Sequence, residues 1–190
     1  MSGFTGTMFE ELFSCYLAAT TTTPAASAVS ITQGYPGIAV PAMYMGKLGD
    51  EASSLRLILS GQMTATATVP TWLFGVSFTT SSTFSATTPL GASATFTPTA
   101  GTGGYFYMQV DIGLRAIAVG AASTVASIGK VEGALFPSPF WQSIPATNTA
   151  PTVTTWDLNQ QYYIWPYLTL GAATAGNTVS VHFCKLYGEN

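Results

Sequence analysis

Hydrophobic residues near the N-terminus recur at a spacing typical of an α-helix. The apolar positions follow the pattern i, i+3, i+4, i+7, i+8 at Phe9, Leu12, Phe13, Tyr16 and Leu17. Thr7 precedes this run as a candidate N-cap, and Glu10 three residues later completes a capping-box pattern. The pattern predicts a short amphipathic helix in an N-terminal arm over residues 1–36. Because so short a helix is marginal alone in water, it must dock either on its own domain or on a neighbouring subunit.

Beyond Pro36 the pattern changes to one typical of β-strands. Runs of β-branched and aromatic residues are bounded by Gly, Pro, Ser and Asn, and no sustained helical periodicity is visible. This predicts eight strands and an all-β domain over residues 37–190, built as a two-sheet sandwich or a barrel. The predicted strands are Ile38–Met45, Ser54–Met63, Thr71–Thr79, Ser93–Thr97, Tyr105–Arg115, Thr124–Glu132, Tyr162–Leu170 and Thr178–Tyr187.

Charged residues suggest a register for one hairpin. If Tyr105–Arg115 and Thr124–Glu132 turn at Gly120-Ala121, Asp111 faces Lys130 across the pair. The same register sets Gln109 opposite Glu132 and Arg115 opposite Ala126. Opposite charges across a strand pair stabilise it by roughly 0.2–1 kcal/mol. The hairpin thus assigns these charges to sheet pairing, with no catalytic role.

Residues 133–155 form a long connection rich in aromatic residues and proline. The run from Phe136 to Trp141 contains Pro137 and Pro139, which exclude it from the interior of a sheet. Loops of this length in compact domains usually carry function or pack against a partner. Three roles remain open for this loop: contact with another subunit, packing over its own sandwich, and ligand binding.

Charge is scarce in this chain. Charged residues are 7% of the sequence and hydrophobic residues 47%, whereas globular domains carry about 25% charged residues. A monomer with so little surface charge has little to keep it dispersed. We therefore expect copies of the chain, or a larger assembly, to cover much of its surface. The shortage also leaves few general acids and bases for catalysis, so we expect no enzyme activity and no cofactor.

The composition also argues against membrane and nucleic-acid partners. The least polar stretch, 116–128, is shorter than the roughly 20 residues of a spanning helix, and the acidic N-terminal segment does not resemble a secretory leader. A net charge of -3 disfavours binding to phosphates. We expect a soluble protein made in a cytoplasm. Its cysteines, Cys15 and Cys184, are expected to be reduced and mostly buried.

No chemical site stands out from the sequence. His182 is the only histidine, so a histidine-rich metal site cannot form within one chain. The i, i+2 spacing predicts that His182 and Cys184 share a strand face, an arrangement typical of packing. No nucleophile is marked for a serine-type triad. The aromatic residues offer one alternative, because exposed rings can stack on sugars. The candidates for such stacking lie close in sequence: Trp141, Trp156, Tyr162 and Tyr163.

Two stretches carry a resemblance to a known group of proteins. The first is Ser54–Met63, a Thr/Ala-rich turn and Pro70–Phe78, which reads Pro-Thr-Trp-Leu-Phe-Gly-Val-Ser-Phe. The second is Tyr162–Leu170, a Gly/Ala/Asn turn and Thr178–Leu186. Together, over residues 47–187, they resemble the jelly-roll virion proteins of tailed bacteriophages. Those motifs encode strands and turns and contain no chemical site.

The resemblance implies an eight-stranded jelly-roll-like β-sandwich behind the N-terminal arm. It further implies a structural role on the capsid surface of a virion, as a decoration or cement subunit bound to the major capsid protein, often as a trimer. A tail fibre or spike component that binds a host receptor or glycan is the alternative. The apolar residues expected to make protein contacts are Phe9, Leu12, Phe13 and Tyr16 on the arm and Phe136, Phe140 and Trp141 on the loop.

Overall fold

The chain folds as an all-β protein with two antiparallel sheets packed as a sandwich. The structure is a computed structural model and describes residues 9–22, 26–32, 37–46, 54–118, 123–146 and 154–189. Within these ranges the chain forms twelve strands and a single turn of 3₁₀-helix at Tyr44–Gly46. The all-β class and the two-sheet arrangement predicted from the sequence are confirmed.

The strands are numbered in chain order. They are β1 (Phe9–Thr22), β2 (Val29–Ser30), β3 (Ile38–Val40), β4 (Ser54–Ala65), β5 (Trp72–Thr79), β6 (Pro89–Ala92), β7 (Gly101–Ala116), β8 (Ser123–Gly133), β9 (Trp141–Ile144), β10 (Thr154–Trp156), β11 (Tyr162–Leu170) and β12 (Thr178–Glu189).

Each sheet has a simple order. The seven-stranded sheet runs β1-β12-β4-β7-β8-β10, and β9 also pairs with β8. The five-stranded sheet runs β2-β11-β5-β6, and β3 also pairs with β11. The consecutive strands β4 and β5 pair with β12 and β11 respectively, so two antiparallel pairs pass from one sheet to the other.

The seven-stranded sheet has one buried face and one outer face. Alternate residues of β4 are buried at Leu55, Leu57 and Leu59, while their neighbours are partly exposed. Such alternation is expected of an antiparallel sheet that covers a core on one side. In the five-stranded sheet, the central strands β5 and β11 are buried along most of their length. The segment that carries Phe84 covers Trp165 of β11, with 5.7 Å between the two ring centroids.

Aromatic rings fill much of the space between the sheets. Phe74 lies within 6.3 Å of four other rings, measured between centroids: those of Trp72, Phe96, Phe106 and Phe136. Phe96 and Phe136 are closer still, at 4.3 Å. Ring pairs at these separations add a favourable term beyond burial alone. The core is therefore held by aromatic contacts that link β5 to the connection after β8.

The predicted N-terminal helix is wrong, because residues 9–22 form strand β1. This strand pairs antiparallel with β12, the last strand of the chain. Its apolar residues Leu12 and Phe13 are half-buried against the core of the same chain. The extra residue Leu12 sits at a register shift between Glu11 and Phe13. This bulge allows two adjacent residues, Leu12 and Phe13, to pack on the core, as the i+3, i+4 spacing of a helix would also do. The predicted cap residue Thr7 lies outside the described residues.

The predicted count of eight strands is also wrong. Most of the predicted strands appear, and Tyr162–Leu170 has the predicted bounds. The predicted strand Ile38–Met45 ends at Val40 and continues into the 3₁₀ turn. The strand expected at Ser93–Thr97 forms earlier, at Pro89–Ala92, and Phe96 makes an isolated bridge to Trp72. The remaining strands are short or lie in segments where no strand was expected.

The predicted hairpin forms, but its register is shifted by two residues. Lys130 lies opposite Gln109, and Glu132 lies opposite Tyr107. Asp111 instead faces Ile128, and its carboxylate accepts a hydrogen bond from Arg56 of β4 at 2.6 Å. The charge opposite Asp111 is therefore Arg56 on β4, and not Lys130 on β8 as the predicted hairpin register required.

Candidate protein-interaction surface

The outer face of the seven-stranded sheet carries most of the ion pairs among the described residues. Arg56 and Asp111 are directly opposed on β4 and β7, with 2.6 Å between Nε and Oδ1. The Lys130 ammonium contacts the Glu132 carboxylate two residues away at 2.8 Å. A third pair, Lys185 with Glu11 at 2.8 Å, joins β12 to β1. Because each pair joins opposite charges, these three pairs add little net charge to the face.

Aromatic side chains lie between these ion pairs. The Lys185 ammonium is 5.6 Å from the ring centroids of both Phe183 and Tyr187 on its own strand. On β7, the Tyr107 hydroxyl donates to Gln109 Oε1 at 3.1 Å. This pattern of rings and paired charges extends across β12, β4, β7 and β8.

The pKa of Tyr107, on this face, is raised above its ordinary value. Burial raises its pKa, Lys130 lowers it, Glu132 raises it, and Arg56 and Asp111 make smaller opposing contributions. The phenol therefore stays neutral across the physiological range, as a hydrogen-bond donor.

Strand pairing and backbone hydrogen bonds bring the backbones of three exposed aromatic residues to one corner of this sheet: Tyr105, Phe140 and Trp141, named here the aromatic corner. Their exposures are 62%, 59% and 44%. Trp141 pairs with Glu132 on β8, which in turn pairs with Tyr107 on β7, so Trp141 continues a row across the outer face. Exposed apolar clusters of this kind mark interaction surfaces on soluble proteins.

The loop before β9 holds the aromatic corner in place through buried anchors. Phe136 is only 1% exposed and stacks in the core, and Leu135 packs against that core from the edge. Backbone bonds tie the loop down at both ends: Ala134 N–H donates to Tyr105 O at 3.0 Å, and Gly133 N–H donates to Phe140 O at 3.1 Å. The corner is therefore supported by the fold on both sides.

Phe140 has an unusual backbone conformation. Its φ is +68°, in the left-handed region that a bulky side chain rarely adopts. Its N–H donates to Pro137 O at 2.7 Å, which closes the turn, yet its ring is more than half exposed and adds little to the core. Strained residues that do not serve packing tend to occur at functional sites.

The predicted contact residues of the loop separate into two groups. Phe140 and Trp141 are exposed, as a contact role requires. Phe136 is not available for contact, because its ring fills the core beside Phe96. The expectation that Phe136 forms part of an outward-facing grip is therefore corrected. Sequence alone cannot separate Phe136 from Phe140, since both lie in the same Pro-rich run.

The predicted contact residues of the arm lie in strand β1 of the seven-stranded sheet. Leu12 and Phe13 pack on the core of their own chain and are only partly exposed. For Phe9 and Tyr16 the structure fixes the backbone register, opposite Glu189 and Phe183. The segment thus packs on its own domain as a strand through Leu12 and Phe13, and contact with a neighbouring subunit stays a prediction.

The sugar-stacking candidates do not form one surface. Trp156 and Tyr162 are buried, with ring centroids 4.2 Å apart, and both also contact Phe78. Tyr163 is half-buried, and only Trp141 of the four is well exposed. Trp156 and Tyr162, which lie close in sequence, therefore pack together in the core and are not available to stack on a sugar.

His182 and Cys184 do not share a strand face. A bulge between Val181 and Phe183 shifts the alternation, so that His182 is exposed while Cys184 is fully buried. Among the residues that the structure describes, no cluster of three or more His, Cys, Asp or Glu side chains is arranged to hold a metal ion.

A search of the same residues for a helix both long and apolar enough to span a bilayer finds none.

Two features of this surface were not found from the sequence. Tyr105 and Ile128, at 62% and 66% exposure, read as strand residues with no sign of which face they occupy. A shallow depression lies near Ile128, where Ser54, Gly113 and Ala126 oppose one another on three adjacent strands. A Cβ at Gly113 would meet nothing within 4 Å, so the depression is open to solvent.

Comparison with known proteins adds little to this picture. No protein-family model matches the chain, and no curated protein does. Among solved structures, the chain is similar to a legume lectin-like domain from Entamoeba histolytica, with 9% identity over 89% of each chain and a TM-score of 0.28. A likeness this distant carries no conclusion about function.

Proposed function

We propose that this chain is a structural subunit of a virus particle, which binds the capsid surface as an oligomeric decoration or cement protein. The observation that carries the proposal is the aromatic corner, an exposed cluster of rings on a chain with very little charge. The resemblance of the sequence to jelly-roll virion proteins gives the proposal its particular setting. The two antiparallel strand pairs that cross between the sheets fit that jelly-roll interpretation.

The physical argument begins with surface energetics. Burying apolar surface contributes roughly 25 cal/mol per Å², and aromatic residues dominate the energetics of interfaces. Tyr105, Phe140 and Trp141 present their rings on backbone that the fold already holds in place, so little backbone ordering is needed when a partner binds. The nearby Lys130–Glu132 pair supplies a polar rim. A low-charge shell protein would meet this surface without leaving unpaired charges.

A purely mechanical role fits this arrangement. Subunits that bridge neighbouring shell proteins need a rigid body and a fixed contact surface. The sandwich provides the body, and the anchored loop before β9 provides the contact. We propose the major capsid protein as the partner and a trimer as the assembly, in keeping with the resemblance.

The decisive experiment is cryo-electron microscopy of purified virus particles that carry this chain. Density for the sandwich at threefold or quasi-threefold positions of the shell is expected, with the aromatic corner at the contact. Density confined to the tail tip would instead support the receptor-binding alternative. A glycan array with the isolated protein gives an independent check, since only the alternative expects binding there.

Variants test whether the corner makes the contact. The double variant Phe140→Ala, Trp141→Ala is expected to lower occupancy on shells while leaving the far-UV circular dichroism spectrum unchanged. Ile117→Ala is a matched control, because Ile117 is 49% exposed but follows the opposite end of β7 from Tyr105. Equal occupancy for the double variant and the control would refute the contact role of the corner.

A further inference from the structure

The two cysteines of this chain lie directly opposite each other in the sheet. Cys15 on β1 is paired with Cys184 on β12, although these strands stand at the two ends of the chain. The sequence contains no other cysteine. The fold therefore places the two thiol-bearing residues of the sequence at facing positions of one strand pair.

The register that pairs these cysteines is well defined. Four successive pairs run from Phe13 opposite Leu186 to Tyr16 opposite Phe183, with no irregularity among them. An ion pair from Glu11 to Lys185, at 2.8 Å, joins the same two strands close by. A slip of β1 by one residue would turn its side chains to the opposite face of the sheet, away from the face on which Cys184 is fully buried.

The spacing of paired residues suits a disulfide bond. Directly opposed residues of an antiparallel pair have Cα atoms about 4.5 or 5.5 Å apart, depending on the type of pair. Disulfides join Cα atoms about 4.4–6.8 Å apart. We infer that Cys15 and Cys184 are a redox-active pair, which oxidation converts into a cross-strand disulfide that ties β1 to β12. This inference does not depend on the proposed function.

The oxidant we name is a low-molecular-weight disulfide, such as oxidised glutathione. One cysteine thiolate attacks a sulfur of the oxidant, which breaks its S–S bond, forms a mixed disulfide and releases one small thiol. The second cysteine thiolate then attacks the protein sulfur of the mixed disulfide and releases the second small thiol. Two electrons pass from the protein to the oxidant, and the protons of Cys15 and Cys184 end on the two released thiols.

Access to the thiols depends on the position of β1. Among the described residues, β1 is the outermost strand of its sheet and pairs with β12 alone. Strands at the ends of sheets open locally at lower cost than the whole fold. Because Cys184 is buried, we expect oxidation in the native protein to follow the opening of β1 and to be slow before that opening.

The disulfide would restrain the chain strongly. The loop closed between Cys15 and Cys184 contains nearly the whole protein, and the loss of unfolded-state entropy grows with loop length. For a domain of this size, the stabilisation expected of so long a loop raises Tm by on the order of 10 °C. It would also hold β1 in place whenever the protein leaves a reducing compartment.

The test uses the full-length protein, purified in reductant and then incubated with oxidised glutathione. Alkylation after denaturation is expected to find two reactive thiols before oxidation and none after it. Digestion without reductant should yield one linked peptide pair containing Cys15 and Cys184. The oxidised protein should melt about 10 °C higher, and dithiothreitol should reverse the shift.

Single variants provide the control. Cys15→Ala and Cys184→Ala each retain one cysteine, so oxidised glutathione should give no internal cross-link and no comparable rise in Tm in either. Because Cys184 is fully buried, its replacement by alanine is expected to lower the stability of the fold. Cys15→Ala is therefore the better control for the wild-type protein. Two thiols that remain alkylatable in the wild-type protein after oxidation would overturn the inference. So would a linkage that forms only between separate chains on a non-reducing gel.

Discussion

Phe136 and Phe140 lie four residues apart and are expected to respond in opposite ways to the same substitution. The Phe136 ring is 1% exposed, with its centroid 4.3 Å from that of Phe96 and 6.0 Å from that of Phe74. Replacement of a buried phenylalanine by alanine removes these contacts and leaves a cavity, at a cost of about 3–5 kcal/mol. The Phe140 ring is 59% exposed, so Phe140→Ala should change stability by less than about 0.5 kcal/mol.

Urea unfolding of the purified variants measures this difference. With a slope of about 1–3 kcal/mol per molar urea, Phe136→Ala should lower the unfolding midpoint on the order of 2 M. Phe140→Ala should leave the midpoint almost unchanged, because alanine at φ +68° carries much the same backbone strain as phenylalanine. Tryptophan fluorescence is a suitable probe, since Trp72 is fully buried in the same core.

The comparison can fail in two informative ways. If Phe136→Ala cost no more than Phe140→Ala, the ring of Phe136 would not belong to the core, and the assignment of the loop anchors would be refuted. If both variants cost several kcal/mol, the turn at Phe140 would be part of the folded core and not a surface held ready for a partner.

Three further substitutions test other parts of the structure. Phe140→Gly should raise the free energy of unfolding by about 1 kcal/mol, because glycine adopts positive φ without strain; unchanged or lower stability in urea unfolding would contradict that strain. Asn177→Ala should lower the free energy of unfolding by about 1–3 kcal/mol, since the buried Asn177 side chain accepts a hydrogen bond from Thr66 N–H and donates one to Thr174 O. An unchanged Tm in a thermal scan would show that these two hydrogen bonds do not stabilise the fold. Burial raises the pKa of Tyr167, so the stabilisation it gives is complete below its unfolded pKa of about 10 and is lost as pH rises through the higher folded pKa. Tyr167→Phe should therefore flatten the alkaline fall in Tm, whereas the same fall in variant and wild type would show that Tyr167 is not its source.

The central strands were predictable because their composition and their burial agree. The runs at β5 and β11 are rich in aromatic and β-branched residues, and turn residues bound them on both sides. Such runs favour strands in almost any tertiary setting. The structure buries both strands along most of their length, so the local preference and the global fold point the same way.

The N-terminal segment was mispredicted because its spacing fits two structures. Apolar residues at Leu12 and Phe13 fit a helical stripe, and they also fit a strand with one bulge. The long strand β12 decided between them, because its side opposite β4 offers a row of backbone hydrogen bonds that a helix could not satisfy. The residues of 9–22 themselves do not show that β12 has a side free to pair with them.

The candidate surface shows a similar division. The sequence identified the Pro-rich aromatic loop as unusual, and the structure places Phe140 and Trp141 of that loop on the surface. It could not show that Phe136 turns inward, because the choice depends on space between Phe74 and Phe96 on distant segments. The register of β7 and β8 was missed for the same kind of reason, since Arg56 of a third strand pairs with Asp111.

The amino-acid sequence by itself determined the β class, the positions of the main strands and a surface poor in charge, because these depend on composition and short-range pattern. Tertiary structure alone decided which strand β1 pairs with, which aromatic rings enter the core, and that Cys15 and Cys184 lie side by side. Each of these depends on contacts between segments far apart along the chain. Local pattern holds no record of such contacts, and the free energy of packing selects among them only when the whole chain is assembled.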